Sequence, residues 1–306
     1  MDRPRSAWLD GELVPYDDAT VHLSSSALHF GPVAFEGIRC YGFPDGRTNL
    51  FRLTEHVERL GASVRGLHLE VPFSPPELAA ACRRTVVANG HHDAYIRPVA
   101  FPAPGGLGFG RPGGRAQTCV LSFPWRNDVL EKSQRRGIRL HVSSVTRTEA
   151  HPVISKSKIS ANYAAGLLAM HEARQAGVDD ALLLDATGAV AEATTANVFA
   201  VWGERVVTPP LSLPILAGIT RDALLVLGRQ LGLDVGEKAF DVDELGAADE
   251  IFLCGTTSEV TPVREVDGRA VGDGTPGPVT IRLLRALQDE IGGHGATHPW
   301  SHPLSD

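Results

Sequence analysis

Two spacings of apolar residues, one strand-like and one helical, alternate along this 306-residue chain. Near the start, Trp8-Leu9 and Leu13-Val14 flank an Asp10-Gly11 pair, which predicts a tight hairpin. Residues 21–42 mix small and aromatic side chains, and Asn49 to Leu53 reads as a short strand. From Thr54 to Leu67 the spacing becomes helical: Val57, Leu60, Val64 and Leu67 fall on one face, with Thr54 placed to cap it. Ser74-Pro75-Pro76-Glu77 opens a second helix reaching Asn89, with serine at the cap, proline in the first turn and glutamate three residues on. Alternation returns in two strands, Ala94 to Phe101 and Gln117 to Phe123. The stretch 102–116 between them is rich in Gly, Pro and Arg, and a patternless segment of that length predicts a functional loop. The polar residues 124–137 read as an interdomain linker.

The second half begins with a strand from Ile138 to Val145. Ala161 to Gln175 carries Ala164, Leu167, Leu168 and Ala173 at helical spacing. Ala181-Leu182-Leu183-Leu184 is a buried strand, turned by Ala186-Thr187-Gly188. Val190 to Thr194, Asn197 to Trp202 and Val206 to Thr208 are further strands. Gly218-Ile219-Thr220-Arg221-Asp222 opens an amphipathic helix (Leu224, Leu225, Leu227, Leu231) closed by Gly232. A short helix near Val242 to Leu245, a strand Glu250 to Cys254 and a helix from Val279 to Ile291 follow, and the tail from Gly292 reads as irregular. Strands and helices without regular βαβ alternation argue for α+β domains around largely antiparallel sheet.

Length favours two domains, placed at 1–123 and 138–306 with 124–137 between them. Composition is that of a globular protein, 43% hydrophobic and 21% charged. A net charge of −7 gives no basic field for nucleic acid or an anionic membrane. The four cysteines (Cys40, Cys82, Cys119, Cys254) form no CxxC pair, so they read as buried thiols in a reducing compartment, not a disulfide frame or a metal site. Met1 to Ser6 lacks an apolar run, and no segment of about 18 apolar residues could span a bilayer. The expectation is a soluble, cytoplasmic protein.

Candidate chemistry centres on Ile154-Ser155-Lys156-Ser157-Lys158-Ile159-Ser160-Ala161-Asn162-Tyr163. A lysine among small neighbours can lose its charge by desolvation, and its neutral amine attacks carbonyls to give a Schiff base. Two solvated loop lysines are the ordinary alternative. Gly218-Ile219-Thr220 at a helix start offers backbone N–H groups, a hydroxyl and the positive dipole end to a phosphate. Gly255-Thr256-Thr257 after a buried strand is a second anion nest. Glu192 between two alanines needs a partner, either a protein group or a protonated ring nitrogen. Arg59 interrupts a helix, and Arg97 an apolar strand. An amine, a phosphate cradle, an acid for a ring nitrogen and a phenol near the lysine are together what pyridoxal 5′-phosphate requires.

The same residues carry a resemblance. Phe35-Glu36-Gly37-Ile38-Arg39-Cys40-Tyr41, Tyr95-Ile96-Arg97-Pro98, Phe123-Pro124-Trp125 and Lys158 with Asn162-Tyr163 stand in order along the chain. So do Glu192 with Asn197-Val198-Phe199, Pro209-Pro210, Gly218 to Asp222, and Gly255-Thr256 with Glu259 to Val263. With these motifs the chain resembles the branched-chain-amino-acid aminotransferases of the fold-type IV pyridoxal-phosphate family. The resemblance implies a two-domain α+β enzyme like D-amino-acid aminotransferase, with a small N-terminal α/β domain and a larger C-terminal domain of mostly antiparallel, barrel-like sheet.

The resemblance also implies roles. Lys158, not Lys156, binds the cofactor and moves the proton between Cα and C4′. Tyr163 bonds the phenolate oxygen, and Glu192 keeps the ring nitrogen protonated. Arg59, Ile219, Thr220 and Thr256 hold the phosphate. Tyr95 and the backbone near Thr256 and Thr257 receive the α-carboxylate. Phe35, Gly37 and Trp125 shape the side-chain pocket, with Arg39 and Arg97 beside it. The implied reaction passes the amino group of Leu, Ile or Val to 2-oxoglutarate, in a homodimer or higher homo-oligomer whose 102–116 loop reaches a neighbouring site. The chain departs from the family at Phe30, where a tyrosine is usual, and at Arg126-Asn127-Asp128. Those positions leave room for a specialised aminotransferase of secondary metabolism; D-amino-acid or (R)-amine transaminase and aminodeoxychorismate lyase are the alternatives within the fold.

Overall fold

The computed structural model describes residues 3–103, 115–147, 151–293 and 298–304. The Gly105–Gly110 run and most of the 102–116 loop lie outside them. The chain divides into two compact units, Met1–Arg126 with Ser157–Ala161 and Glu290–Asp306, and Asn127–Lys156 with Asn162–Asp289. This corrects the expected division in three places. Ser157–Ala161 and the tail belong with the first unit, and the expected linker contains a helix of the second.

In the first unit, β1 (Ser6–Leu9) and β2 (Glu12–Pro15) form the predicted hairpin. Asp10 and Gly11 both take positive φ (47° and 111°), the backbone that an Asp-Gly turn supplies. There follow α1 (Ser26–Phe30), β3 (Ala34–Phe35), β4 (Ile38–Gly42) and β5 (Thr48–Phe51). Then come α2 (Leu53–Gly66), α3 (Pro75–Asn89), β6 (Ala94–Pro102) and β7 (Ala116–Pro124). The antiparallel sheet runs from a C-terminal strand, Ser301–Pro303, through β5, β4, β6, β7 and β1 to β2, with β3 beside β6. Helix α2 buries Val57, Leu60 and Val64 as predicted, but its cap is Arg52 at positive φ, not Thr54. Helix α3 has the full Ser74–Glu77 capping box.

The tail was expected to be irregular, yet Ser301–Pro303 pairs with β5. Trp300 explains the docking. Its ring meets Phe51 edge-on at 6.1 Å and lies under the Arg52 guanidinium at 4.6 Å. These contacts join distant parts of the chain, so no local spacing announces them.

The second unit contains α4 (Asp128–Arg136), β8 (Ile138–Val142), α5 (Pro152–Lys156), α6 (Tyr163–Gln175), β9 (Asp180–Leu184), β10 (Val190–Ala193), β11 (Asn197–Trp202) and β12 (Arg205–Thr208). It continues with α7 (Ile219–Gln230), β13 (Asp234–Glu237), α8 (Val242–Gly246), β14 (Glu250–Gly255), β15 (Glu259–Val266) and β16 (Arg269–Ala270), and the last helix is α9 (Pro278–Gly292). Its sheet is ordered β10-β9-β8-β15-β14-β11-β12-β13, with β16 beside β15. Most pairings are antiparallel; β8–β9, β8–β15 and β12–β13 are parallel. Leu140, Leu182, Val198, Ile251 and Leu253 anchor the core on this sheet.

Of the four residues expected to face inward on helix α6, Ala173 is buried and Ala164, Leu167 and Leu168 are exposed. Leu167 and Leu168 are 73% and 60% exposed, while Gly166, Ala169 and Ala173 are buried. A Cβ on Gly166 would lie 2.8 Å from the Thr194 carbonyl oxygen, so the helix approaches backbone there and only small residues fit.

Candidate active site

The first unit gathers Lys158, Arg59 and most of the expected pocket residues. Lys158 is held by its main chain: its carbonyl accepts from Phe35 N at 3.0 Å, and its N–H donates to Ser63 Oγ at 3.0 Å. Its Nζ stands 5.1 Å from the centre of the Phe35 ring. Lys156, at the end of α5, is exposed. Lys158 is half-buried, so the two lysines are separated by environment.

Strand alternation on β6 sends Ala94, Ile96 and Pro98 inward and leaves Tyr95 and Arg97 on the other face. Arg97 Nη2 donates to the Tyr95 hydroxyl at 2.6 Å, and its guanidinium lies 4.6 Å from the Phe35 ring centre. Burial raises the Tyr95 pKa, with the charge of Arg97 pulling the other way. A Cβ on Gly37 would overlap the Tyr95 hydroxyl, so any side chain here would have to displace that phenol. Phe35, Gly37, Tyr95, Arg97 and Lys158 are therefore brought together.

Arg39 is placed differently from the pocket-side expectation. Its side chain is completely enclosed, with Nη2 3.2 Å from Asp93 Oδ1. The guanidinium sits between the Tyr41 ring (4.4 Å) and the Trp125 ring (4.5 Å). It has no surface to offer a ligand and braces Trp125 from behind. Trp125 in turn lies 6.0 Å from Tyr95, ring centre to ring centre.

Arg59 makes a two-pronged pair with Glu36: Nε to Oε1 at 2.7 Å and Nη2 to Oε2 at 2.9 Å. His56 Nδ1 lies 2.7 Å from Glu36 Oε2. Burial alone would raise the Glu36 pKa. The Arg59 charge, with hydrogen bonds from His56 and Arg59, outweighs burial and holds the carboxyl well below the usual range. Burial lowers the His56 pKa against the opposing pull of Glu36.

The second unit holds Glu192. A bulge between Val190 and Glu192 interrupts the pairing of β10 with β9. Glu192 Oε1 accepts from Arg147 Nε at 2.9 Å, and Oε2 from Leu216 N at 3.0 Å and Asn197 Nδ2 at 3.3 Å. Three donors suit an ionised carboxylate, the form that stabilises a protonated ring nitrogen. Arg147 also bonds the carbonyls of Asn162 (3.1 Å) and Ser155 (3.4 Å).

Helix α7 begins at Gly218 with extended backbone and no side-chain cap, and Ile219 and Thr220 behind it are buried. A Cβ on Gly218 would overlap Asn197 Oδ1, so this helix start is presented as bare backbone. Tyr163 opens α6, half-buried, and Thr256 and Thr257 lie half-buried in the turn between β14 and β15. The first unit supplies an amine and a guanidinium, and the second a donor-held carboxylate and an uncapped helix start; each is a kind of group that suits a phosphorylated pyridine aldehyde.

Four residues of the site had no role in the sequence reading, although Glu36 and Asn197 stand within its motifs. Glu36 offered the same signal as Glu192, a carboxylate inside a run of small and apolar residues. His56 and Asn197 sit inside elements whose apolar spacing hides them. Arg147 falls in a patternless stretch, with no local signal at all.

A family model described as "Amino-transferase class IV" matches residues 33–266. The chain belongs to the class IV aminotransferases. Relatives of this class IV aminotransferase agree over nearly full length. It is 38% identical over 297 residues to the branched-chain-amino-acid aminotransferase of Pseudomonas aeruginosa, covering 97% of this chain and 96% of that one. It is 39% identical over 281 residues to the Escherichia coli K12 protein of the same name, covering 92% and 91%. Among solved structures, the branched-chain amino acid aminotransferase of Thermobaculum terrenum in its PLP-bound holo form is similar at TM-score 0.91 and 33% identity, covering 100% of both chains.

Proposed function

We propose that this chain is a pyridoxal 5′-phosphate-dependent branched-chain-amino-acid aminotransferase. It passes the amino group of L-leucine, L-isoleucine or L-valine to 2-oxoglutarate, giving 2-oxo acids and L-glutamate. The observation that carries this reading is the Lys158 amine beside Phe35, with Tyr95 and Arg97 on the same wall. One such surface serves both substrates: the aromatic rings suit a branched aliphatic side chain, and the Arg97 guanidinium suits the distal carboxylate of glutamate.

The cofactor, when bound, supplies an aldehyde that takes up the amino group and a ring that accepts the electron pair left at Cα. Lys158 Nζ would hold the aldehyde carbon and, once the substrate's amine has displaced it, would be free to take the Cα proton. In the first unit Arg59 would bind its phosphate; in the second, Thr256 and the start of α7 at Ile219 and Thr220 would bind the phosphate, Tyr163 its phenolate oxygen and Glu192 its ring nitrogen. The α-carboxylate would be received by Tyr95 in the first unit and by the backbone near Thr256 and Thr257 in the second. Phe35, Gly37 and Trp125 shape the room for the side chain, with Arg39 acting through Trp125.

Arg126 and Asp128 are exposed, which supports a solvent-facing role for this departure and leaves the branched-chain reading in place. Among the described residues no helix is long and apolar enough to cross a membrane. Four free cysteines fit a reducing cytoplasm. Leu23, Leu28 and Phe30 form an exposed apolar stretch around α1, the kind of surface a second copy covers, and we infer a homodimer. A single monomeric boundary in sedimentation of the active enzyme would remove that inference.

The deciding experiment mixes holoenzyme with single amino acids and follows loss of the visible absorbance of the lysine-bound cofactor. Rapid loss is expected with L-Leu, L-Ile, L-Val and L-Glu, and none with D-Ala. Silence from the branched-chain set, with a response to L-Arg, L-ornithine or D-Ala, overturns the substrate assignment.

A further inference from the structure

The buried network behind Arg59 has no part in the reading above. Glu36 lies in the tight connection between β3 and β4 and is fully buried. A carboxylate taken out of water is retained against a large desolvation cost, so its partners must matter. Both of its oxygens grip Arg59, and a planar fork held by a planar carboxylate is fixed in plane and in direction. His56, one turn before Arg59 on α2, bonds the same carboxylate from the other side at 2.7 Å. An ionised carboxylate only accepts, so His56 Nδ1 carries the proton. Gly37 N adds a longer bond at 3.3 Å.

We propose that Glu36, backed by His56, is a positioning residue that aims the Arg59 guanidinium at the phosphate monoester of the cofactor. The inference rests on the assignment of Arg59 to that phosphate. Charge is not what Glu36 contributes to anion binding, because a carboxylate repels a phosphate. Its contribution is geometric. The same connection also carries Phe35 beside Lys158 and Gly37 beside Tyr95, so the phosphate anchor and the substrate wall share one short piece of backbone.

The test separates geometry from charge. Glu36→Asp keeps the charge and withdraws the carboxylate by about 1.5 Å, one C–C bond. Apoprotein is titrated with pyridoxal 5′-phosphate and, separately, with pyridoxal, which lacks the phosphate. Glu36→Asp should raise the Kd for the phosphorylated compound about tenfold or more and leave that for pyridoxal within about twofold. In an Arg59→Ala background the same change should add nothing. His56→Leu, which leaves the Glu36–Arg59 pair in place, should show the same phosphate-selective loss in smaller measure, and it carries the test if Glu36→Asp does not fold. Equal weakening of both compounds would make Glu36 a purely structural residue and overturn the proposal. If wild-type apoprotein prefers the phosphorylated compound and Arg59→Ala keeps that preference, the assignment of Arg59 itself is wrong and the proposal falls with it. If Arg59→Ala loses the preference but Glu36→Asp and His56→Leu retain it, only the positioning role falls.

Discussion

Arg147 donates its Nε to Glu192 Oε1 across 2.9 Å, joining two residues that lie 45 positions apart on a patternless segment and a buried strand. Both side chains are nearly buried, so the carboxylate is stabilised by a fixed cation instead of by water. Arg147→Met should therefore lower the stability of the apoprotein by about 3 kcal/mol, the cost of leaving one member of a buried pair alone. Urea unfolding measures it. A loss below about 0.5 kcal/mol, as at ordinary surface sites, would mean that Leu216 N and Asn197 suffice to hold Glu192.

Lys158 and Lys156 differ in surroundings, and the difference predicts which one reacts. Lys158→Ala should abolish both turnover and the visible absorbance of the lysine-bound cofactor. Lys156→Ala should keep the absorbance and turn over within about twofold of wild type, as exposed positions usually do. Loss of the absorbance in the Lys156 variant alone would shift the chemistry to that residue.

Gly37→Ala places a methyl group where the Tyr95 hydroxyl lies, and Tyr95 is also bonded to Arg97. Displacing the phenol should cost roughly 10- to 100-fold in kcat/KM for L-leucine. Cofactor binding should change little, because Gly37 is assigned to the side-chain pocket and not to the phosphate or the ring. Steady-state kinetics beside a cofactor titration would show this; unchanged kinetics would mean that the pocket relaxes around the added carbon.

Glu36 makes stability depend on pH. Its folded pKa lies below its ordinary value of 4.5, so the unfolded chain binds this proton first as pH falls. Its contribution is complete above about pH 4.5 and is lost as pH drops towards the lower, folded pKa. The stability gap between wild type and Glu36→Gln should accordingly be widest at neutral pH and narrow steadily below pH 4.5. Unfolding series at pH 7, 4 and 3 give the gap directly; a constant gap would show that the pKa of Glu36 is the same in the folded and unfolded chain, so that Arg59 and His56 do not lower it.

Much of this protein was legible from residue spacing, because helices and strands answer to local period and to caps. The Asp10-Gly11 hairpin, the Ser74–Glu77 capping box, β6, β7 and α7 lie close to their predicted positions. Lys158, Glu192 and Gly218 to Thr220 stood out because each combines a reactive or polar group with small or apolar neighbours. Three-dimensional packing decided the rest. Helix α6 turned its small residues inward and its leucines outward, since backbone closeness to Thr194 outranked hydrophobicity. Arg39, a pocket residue by motif, became the enclosed brace behind Trp125. The tail became a strand because Trp300 found Phe51 and Arg52. The partners of the two key charges, Glu36 for Arg59 and Arg147 for Glu192, came from segments distant in sequence. Local pattern determines which residue types stand where in each element. Only tertiary packing determines which buried charges meet, because the cost of desolvating them is met by partners that no nearby residue reveals.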